Sequence, residues 1–176
     1  MVNIREARVE EYERVGDLSY DAYLPLFGTG SLGWYGRELR NVAARAEVAD
    51  IIVADDGGVV VGAVAYYDDY SSEAGEVELV DSAGFRVLAV DPTAQGRGVG
   101  EALTRWCIER AAAAGRSALV LHTTDYMEAA QRLYSRVGFE RFTDLDHRIE
   151  GRFPVEVLGF SYDLSADRKT ATPAAP

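Results

Sequence analysis

The sequence is poor in the residues that build disulfides and metal sites. It has one cysteine and two histidines among its 176 residues. A single cysteine cannot form an internal disulfide, and so few, scattered ligands do not make a metal site. Cys107 lies beside Trp106 within a helical pattern, so we expect a small core residue and not a nucleophile. The chain is therefore predicted to bind no metal and to need no oxidising compartment.

The sequence also lacks long apolar runs and an excess of basic charge. No apolar run approaches the ~20 residues that a membrane-spanning helix requires, and residues 1–15 are too charged for a signal peptide. Lys and Arg total 18 against 29 Asp and Glu, a formal net charge of −11. Because a nucleic-acid backbone requires a basic face, nucleic acid is not an expected partner. We expect a cytoplasmic protein without a membrane partner, whose acidity serves solubility or attracts a basic ligand.

One stretch, residues 85–115, organises the rest of the chain. It opens with an apolar run, broken only by Arg86, that ends at Asp91-Pro92 because proline cannot donate to a sheet. A loop with three alternating glycines follows, Gln95-Gly96-Arg97-Gly98-Val99-Gly100, and then a helical pattern that stops at Gly115. Such a turn aims several backbone N–H groups and the positive end of a helix at one point. The pattern predicts an anion site, and we expect the anion to be a phosphate.

The remaining pattern predicts one α/β domain over residues 1–164, followed by a disordered tail at residues 165–176. The predicted order is β-α-α-β-β-β-α-β-α-β-β, a mixed central sheet with helices on both faces. A polar loop is predicted before residues 76–80, which are expected to continue a strand. The segment 26–33 is compatible with a substrate lid or with ordinary packing. The predicted strands are 2–9, 50–54, 59–67, 85–90, 117–123, 140–145 and 153–164, and the predicted helices are 10–24, 34–48, 99–115 and 126–137.

The glycine loop departs from the two phosphate motifs with which it is most easily confused. The dinucleotide fingerprint requires G-x-G-x-x-G, and the nucleotide-hydrolase loop requires Lys-Ser/Thr where Glu101-Ala102 stand here. The order in this chain is a buried strand, Val-Asp-Pro, Gln-Gly-Arg-Gly-Val-Gly and then Ala-Leu on a helix. This order resembles the acetyl-coenzyme A motif, Q/R-x-x-G-x-G/A, of the GNAT family of N-acetyltransferases. The alternative is a turn that only lets strand and helix pack closely.

A second segment carries the same resemblance. Residues 130–139, Ala-Gln-Arg-Leu-Tyr-Ser-Arg-Val-Gly-Phe, are similar to the family's A-x-x-L-Y-x-x-x-G-F. The resemblance implies that two parallel strands splay apart and that the arm of the coenzyme fills the gap. It implies that loop amides hold the diphosphate and that strand backbone pairs with the arm, with one N–H facing the thioester oxygen. The residues so implicated are Leu88, Ala89, Val90, Gln95, Gly96, Arg97, Gly98, Val99 and Gly100.

Tyr134 matches the tyrosine that the family is proposed to use as the acid for the departing thiolate. A phenol with a pKa near ~10 is a weaker acid than a thiol near ~8.5, so full proton transfer is uphill by about 2 kcal/mol. We therefore expect Tyr134 to stabilise the thiolate by a hydrogen bond with at most partial transfer. A tyrosine that only packs against the coenzyme is the alternative.

The usual general base of the family has no match in this chain. Gly84 stands where relatives often have a glutamate. Glu76, Glu78 and Asp81 are the nearby carboxylates, and among them Glu78 is the predicted base. A solvated acidic edge is the alternative for each of them.

A second departure lies before the second segment. Many relatives have an asparagine that contacts the coenzyme arm where this chain has Met127. Thr123 or Thr124 would then supply the contact, or the contact is lost. His122 ends the preceding strand, and we expect it to be a structural histidine with its polar atoms satisfied.

The resemblance implies an N-acetyltransferase in which a primary amine attacks acetyl-coenzyme A directly in a ternary complex. The net acidity and the aromatic side chains favour a small cationic amine as acceptor, partly through cation–π contacts. A protein amine as acceptor and an acyl group other than acetyl are the alternatives. The rival hypothesis is a non-catalytic acyl-coenzyme A sensor, and a homodimer is compatible with the family. The aromatic residues that motivate the cationic substrate are Tyr20, Tyr23, Tyr66, Tyr67 and Tyr70.

Overall fold

The computed structural model describes residues 2–27, 32–70, 81–150 and 154–165. Within them, strands and α-helices follow the order β-α-α-α-β-β-β-α-β-α-β-β-β. The strands are β1 (Asn3–Glu6), β2 (Asp50–Asp56), β3 (Val59–Tyr67), β4 (Ser82–Val90), β5 (Ala118–Thr124), β6 (Glu140–Arg141), β7 (His147–Ile149) and β8 (Val155–Asp163). The helices are α1 (Tyr12–Phe27), α2 (Gly33–Arg40), α3 (Val42–Ala46), α4 (Val99–Ala113) and α5 (Glu128–Val137).

The strands form one mixed sheet in the order β1-β2-β3-β4-β5-β8-β6, and β7 pairs with β8. Only β4 and β5 are parallel among the described pairs, and α4 connects them. All other described pairs are antiparallel. The predicted mixed sheet with a parallel pair at its centre is confirmed.

Each face of the sheet has its own hydrophobic core. Phe85, Leu103 and Leu121 belong to the core on the side of α4 and α5. Leu18 of α1 and Val42 of α3 belong to the core on the opposite side. Helices therefore cover both faces, as predicted. The buried Cys107 lies in the first of these cores, which agrees with the expectation of a core residue.

The N-terminal third differs from the predicted elements in three places. β1 is shorter than residues 2–9 because the chain turns at Arg8, whose backbone N–H donates to the Glu11 carboxylate at 2.8 Å. Pro25 does not end α1, which continues to Phe27. Proline has no backbone N–H to donate, so one hydrogen bond is missing in the last turn of the helix. The predicted helix 34–48 is two helices, α2 and α3, because Asn41 leaves the helical region at φ −80° and ψ 61°.

The C-terminal third also differs. The helix α5 begins at Glu128 and not at residue 126, and its N-cap is Met127, without a side-chain cap from Thr124 or Asp125. The predicted strand 140–145 is the two-residue β6 followed by a 3-10 turn, and β7 was not predicted. Such short edge pairings lie below the length at which alternation in a sequence is informative. The predicted strand 76–80, the centre of the predicted lid and the predicted tail from residue 166 lie outside the described residues.

Candidate active site

The two parallel strands of the sheet pair at only one end. Residues 82–84 of β4 pair with residues 118–120 of β5, and no pairing between them follows along the rest of β4. Beyond that point β4 is bulged. Val87 has a positive φ of 52°, and the register against β3 shifts between Ala63 and Ala65. A bulge bends its strand, and the opening between β4 and β5 matches the splay that the resemblance implies.

The register of β4 decides which backbone groups face this opening. Asp91 donates its backbone N–H to Val61 O of β3 at 2.9 Å. Because backbone groups of neighbouring residues point to opposite sides of an antiparallel strand, Val90 and Leu88 direct their N–H groups toward β5. Ala89 pairs with Ala63, and by the same alternation its N–H faces β3. Of the three strand residues in the prediction, Leu88 and Val90 have amides on the open edge and Ala89 does not.

The strand ends at a firmly anchored aspartate. The Asp91 carboxylate accepts hydrogen bonds from the backbone N–H and the hydroxyl of Thr93, at 2.9 and 2.7 Å. It also accepts one from Arg14 of α1 at 2.6 Å, and Arg14 donates in addition to Val60 O. These donors lower the pKa of Asp91 to about 2, with the Thr93 hydroxyl as the largest cause. The start of the loop is therefore tied both to α1 and to the sheet.

The loop itself requires glycine at two positions. Gly96 and Gly98 have φ of 74° and 81°, and a Cβ at either residue would meet nothing within 4 Å. Only glycine adopts such φ values without strain. Gly98 is the N-cap of α4 and provides no side-chain acceptor, so the N–H groups of the first helical turn are left for another partner. A loop with open space beside its glycines, followed by the N–H groups of a helix start, fits an anion with several oxygens, such as a diphosphate.

The side chains of the loop contribute less than its backbone. Gln95 is exposed, and its amide nitrogen lies 3.5 Å from Val90 O. Arg97 donates to the Asp56 carboxylate at 2.7 Å and is therefore directed toward the end of β2. Any contact of Arg97 with the predicted diphosphate thus runs through its backbone N–H in this arrangement.

The two last residues of the motif bring α4 close to the opening. Val99 is buried and packs in the core on the side of α4 and α5. A Cβ at Gly100 would lie 3.3 Å from Leu133 of α5 and within 4 Å of Val90 and Leu88. These apolar side chains line the path from the glycine loop toward the gap between β4 and β5.

Tyr134 lies on α5 beside the same opening. Its side chain is 5% exposed and packs against Phe85, Phe139 and Phe160, with ring centroids 5.8, 5.9 and 6.1 Å away. Burial raises the pKa of Tyr134 well above its ordinary value. The phenol is therefore neutral at physiological pH and is an even weaker acid than its sequence alone suggests.

Two threonine hydroxyls at the end of β5 are buried without a partner. Neither Thr123 Oγ1 nor Thr124 Oγ1 has a hydrogen-bond partner among the described residues. Leu119 and Leu121 face α4 and α5, so strand alternation puts Thr123 on the same side. A buried hydroxyl without a partner is costly. Thr123 thus has a polar group to offer where Met127 replaces the asparagine of relatives.

Gly84 is explained by a neighbouring ring. A Cβ at Gly84 would lie 2.1 Å from Cδ2 of Tyr70, whose side chain is fully buried. The Tyr70 ring therefore fills the space into which any side chain at position 84 would project. A glutamate at this position is incompatible with the observed packing, which accounts physically for the departure from the family pattern.

The predicted general base, Glu78, lies outside the described residues, as does Glu76. Asp81 is described, and its carboxylate lies 3.9 Å from the Arg116 guanidinium. It directly precedes the end of β4 that pairs with β5. Asp81 is therefore at the closed end of the strand pair, away from the glycine loop.

His122 lies on β5 and contacts the chain that follows β6. Its Nε2 is 3.2 Å from Leu145 O, and its ring packs edge-on against His147 at 5.4 Å between centroids. These contacts place the His122 ring against the chain from Leu145 to His147.

The face of the sheet covered by α1, α2 and α3 carries charges that the sequence analysis did not assign. Tyr23 and Tyr35 pack edge to face with centroids 6.1 Å apart. Arg86 pairs with Ala65, a residue of the core on this side, and therefore projects to the same face. The sequence held one signal for this group, since an arginine within an apolar strand is rare without a purpose. Arg86 is that arginine.

Two of the five tyrosines proposed to attract a cationic substrate contact other side chains of the protein instead. The Arg40 guanidinium lies 3.6 Å above the Tyr20 ring. Tyr66 packs against Trp106 and donates to Asp68 at 3.2 Å. Tyr66 belongs to the core on the side of α4 and α5, whereas Tyr67 and Tyr70 belong to the opposite core.

Comparisons with known proteins agree with this geometry. The model of the acetyltransferase (GNAT) family matches residues 5–139. The chain is 32% identical over 142 residues to an N-acetylaspartate synthetase of Xenopus tropicalis, covering 72% of this chain and 49% of that protein. It is 40% identical over 73 residues to a mycothiol acetyltransferase of Gordonia bronchialis, covering 42% of this chain and 21% of that protein. The chain thus spans about half or less of the length of these curated relatives.

Solved structures share the fold at lower sequence identity. The yncA structure from Salmonella typhimurium, solved with its cofactor acetyl-CoA, has a TM-score of 0.69 and 19% identity, and the match covers 100% of this chain and 98% of that one. A ribosomal-protein-alanine N-acetyltransferase from Brucella melitensis has a TM-score of 0.68 and 19% identity, covering 92% of this chain and 99% of that one.

The chain belongs to the acetyltransferase (GNAT) family, because the family model covers most of its length. Acetyl transfer is the activity for which this family is named. Across the described ranges, no helix is both long and apolar enough to cross a membrane. The same residues contain no group of three or more His, Cys, Asp or Glu side chains arranged to hold a metal ion.

Proposed function

We propose that this protein transfers the acetyl group of acetyl-coenzyme A to the primary amine of a small molecule by direct attack in a ternary complex. The observation that carries the proposal is the opening between β4 and β5, which begins after Gly84 and ends at the glycine loop. On one side, the opening is bordered by the backbone of β4 and of the glycine loop. On the other side, it is bordered by tyrosine and arginine side chains of the face covered by α1, α2 and α3. Two ligands that meet in the gap would approach from these two sides.

The residues of the loop and of β4 fit the coenzyme. The backbone N–H groups from Gln95 to Gly100 would hold the diphosphate, where the positive φ of Gly96 and Gly98 keeps the loop open. The N–H groups of Leu88 and Val90 would pair with the coenzyme arm, and Thr123 would donate to it from the opposite strand. The coenzyme supplies an acetyl thioester, whose developing oxygen charge a strand N–H would stabilise.

Direct attack is favoured because the only thiol of the chain is inaccessible. Cys107 has no exposed surface, and burial raises the pKa of its thiol far above the usual range. A neutral, buried thiol is a poor nucleophile. The amine itself would then attack the thioester, and binding both reactants together would supply much of the rate.

Tyr134 would stabilise the departing sulfur with a hydrogen bond. The raised pKa of its phenol makes complete proton transfer to a thiolate more unfavourable than the ~2 kcal/mol of an ordinary tyrosine. The proton that finally reaches the thiolate would come from the attacking amine or from water.

The amine must lose a proton before it attacks, at a cost of about 4–5 kcal/mol for an alkylamine at neutral pH. Glu78 is proposed as the base on the sequence alone. Tyr70 fills the position of the usual glutamate, so the proton has to leave by another route in this chain.

A small-molecule acceptor is favoured over a protein amine by the relatives. Two of them are named N-acetylaspartate synthetase, after an acetylated small molecule. The net charge of −11 favours a cationic amine, but this charge is a property of the whole chain and not of the pocket.

The proposal is tested by incubating the purified full chain with acetyl-coenzyme A and a panel of small amines. Release of free thiol above the hydrolysis background, together with an N-acetylated product detected by mass spectrometry, would support it. A chain that binds the coenzyme but releases no thiol with any amine would instead be an acyl-coenzyme A sensor, and the proposal would fail. A panel of peptides with free N-termini and lysines tests the protein-amine alternative under the same conditions.

A further inference from the structure

The side of the sheet opposite α4 and α5 carries a cluster of tyrosine and arginine side chains. Tyr23 comes from α1, Tyr35 from α2 and Arg45 from α3, while Tyr67 and Arg86 come from β3 and β4. Tyr23 and Tyr35 are in edge-to-face contact, with ring centroids 6.1 Å apart. The helix α1 contacts α2, α3, β3 and β4, so the five elements converge on one region. We refer to these five residues as the Tyr-Arg cluster.

The register of β4 directs Arg86 into this cluster. Phe85 packs in the core on the side of α4 and α5, so Arg86, the next residue in the strand, projects to the opposite face. It pairs with Ala65, and Tyr67 pairs with Gly84. Ala65 and Tyr67 both belong to the core on the side of α1 and α3. Arg86 therefore lies at the point where β4 begins to separate from β5.

Arg45 reaches the cluster from α3 and is half-buried. Its Nη2 donates to Glu38 O at 2.6 Å and to Leu39 O at 3.2 Å, so one side of the guanidinium caps the end of α2. None of the ion pairs within the described ranges involves Arg45. A guanidinium has five donors and stays protonated in proteins. Arg45 therefore brings a positive charge and further donors to a partly buried position.

Arg86 connects the cluster with the reaction site. It directly precedes Val87, the positive-φ residue at which β4 is bulged after its pairing with β5 has ended at Gly84. Burial raises the pKa of the Tyr23 phenol, which is therefore neutral at physiological pH. The cluster thus lies next to the point at which the opening between β4 and β5 begins.

The local charge and the total charge of the chain make opposite predictions for the acceptor. The net charge of −11 favours a cation. Exposed charges are screened over a Debye length of about 8 Å at physiological ionic strength, whereas partly buried charges are screened much less. A guanidinium on this partly buried face can therefore attract an anion although the chain as a whole is acidic.

We propose that the acceptor is an amine that also carries a carboxylate, such as an α-amino acid, and that the Tyr-Arg cluster binds the carboxylate through Arg45 and Arg86. Guanidinium groups bind carboxylates with paired hydrogen bonds. The neutral phenols of Tyr23 and Tyr35 supply additional donors and exclude water. Anchoring the carboxylate on this face directs the amine of the same molecule into the opening, toward the acetyl group. This inference rests on the proposed function, since it names the substrate of the same site.

The first test compares matched acceptors on the unmodified protein. Each L-amino acid of a panel is assayed beside its carboxamide, which retains the amine and the side chain but has no negative charge. We expect kcat/KM to be at least about tenfold higher for the acid than for the amide, as for the loss of one charged hydrogen-bonded partner. Equal or lower values for the acids would overturn the inference while leaving the proposed function intact. Absence of turnover with every amine would overturn both.

The second test uses variants of the two arginines. Arg86→Gln and Arg45→Gln should raise KM for the acid about tenfold or more and should reduce the preference for the acid over the amide by a similar factor. Arg40→Gln is the control, because Arg40 is an exposed arginine of α2 that pairs with Asp17 at 2.9 Å. If Arg45→Gln lowers the melting temperature, Arg45→Lys keeps the positive charge and should retain the preference for acids.

A binding measurement gives a readout that is independent of turnover. In calorimetry with coenzyme A present, the N-acetylated acid should bind at least about tenfold more tightly than the N-acetylated amide. Arg86→Gln should abolish this difference. Identical affinities of the two products for the unmodified protein would contradict the inference.

Discussion

The two sides of the opening between β4 and β5 present different groups to their ligands, backbone on one side and side chains on the other. The coenzyme side consists of backbone: positive-φ glycines at 96 and 98, the first turn of α4, and strand amides. The acceptor side consists of side chains, the Tyr-Arg cluster, contributed by five separate elements. A backbone site serves a ligand that is the same throughout a family, and a side-chain site can change with each substrate. Substitutions on each side of the opening test this division.

The largest effect is expected at Gly84, because the Tyr70 ring occupies the space that a side chain at this position would need. Gly84→Ala would drive a methyl group into the Tyr70 ring, 2.1 Å from Cδ2. We expect a loss of about 2–3 kcal/mol in the free energy of unfolding, typical of overpacking, measured by urea denaturation. A double-mutant cycle with Tyr70→Leu is the control. The two substitutions together should cost clearly less than their sum, and strict additivity would contradict the account.

Removal of the Tyr134 hydroxyl tests where the two sides meet. Tyr134→Phe should lower kcat more than about tenfold, because a hydrogen bond formed in the transition state is lost. Affinity for acetyl-coenzyme A by calorimetry should stay close to normal. Tyr162→Phe is the control, since Tyr162 packs against Phe139 on the same face of the sheet. An unchanged kcat in Tyr134→Phe would remove the proposed role.

The two ends of α4 offer a matched pair for the backbone site. Gly98 and Gly115 have φ of 81° and 74°, and a Cβ at either would contact nothing. Alanine in this conformation costs roughly 1–2 kcal/mol, so both variants should lose similar stability. Only Gly98→Ala should bind acetyl-coenzyme A about tenfold more weakly, because binding has to restore the strained loop. Equal affinities of the two variants would show that the loop does not hold the coenzyme.

The smallest effect is expected at Thr123, whose buried hydroxyl has no partner among the described residues. Thr123→Val should raise the melting temperature slightly, because an unsatisfied buried group is removed. It should also weaken coenzyme binding about threefold, as one neutral hydrogen bond is lost. Thr104 is the control, because its hydroxyl donates to Gly100 O at 2.8 Å. Thr104→Val should therefore destabilise the protein, and a destabilised Thr123→Val would contradict the assignment.

The same division explains how much the sequence could reveal. The glycine loop was predicted because glycine spacing reflects backbone conformation directly. The mixed sheet, the two helical layers and the buried Cys107 also followed from local patterns. The Tyr-Arg cluster did not, because its members are distant in sequence and no spacing rule connects them.

Other differences arose where tertiary packing overrides local signals. Pro25 was expected to end a helix that continues to Phe27, and residues 34–48 were expected to form one helix although the chain turns at Asn41. The glycine at position 84 was noted as a departure from the family pattern. Its cause, the Tyr70 ring, is fourteen positions earlier in the chain and is visible only in three dimensions.

Loop amides from Gln95 to Gly100 are proposed to hold the diphosphate of the coenzyme, and the other assignments depend on this contact. The most direct measurement is calorimetry with acetyl-coenzyme A and with acetyl-pantetheine, which has the same arm and thioester but no diphosphate. Since hydrogen bonds to charged groups contribute about 1.5–3 kcal/mol each, acetyl-pantetheine should bind at least about 100-fold more weakly. Equal affinity for the two compounds, or no heat with acetyl-coenzyme A, would contradict the account.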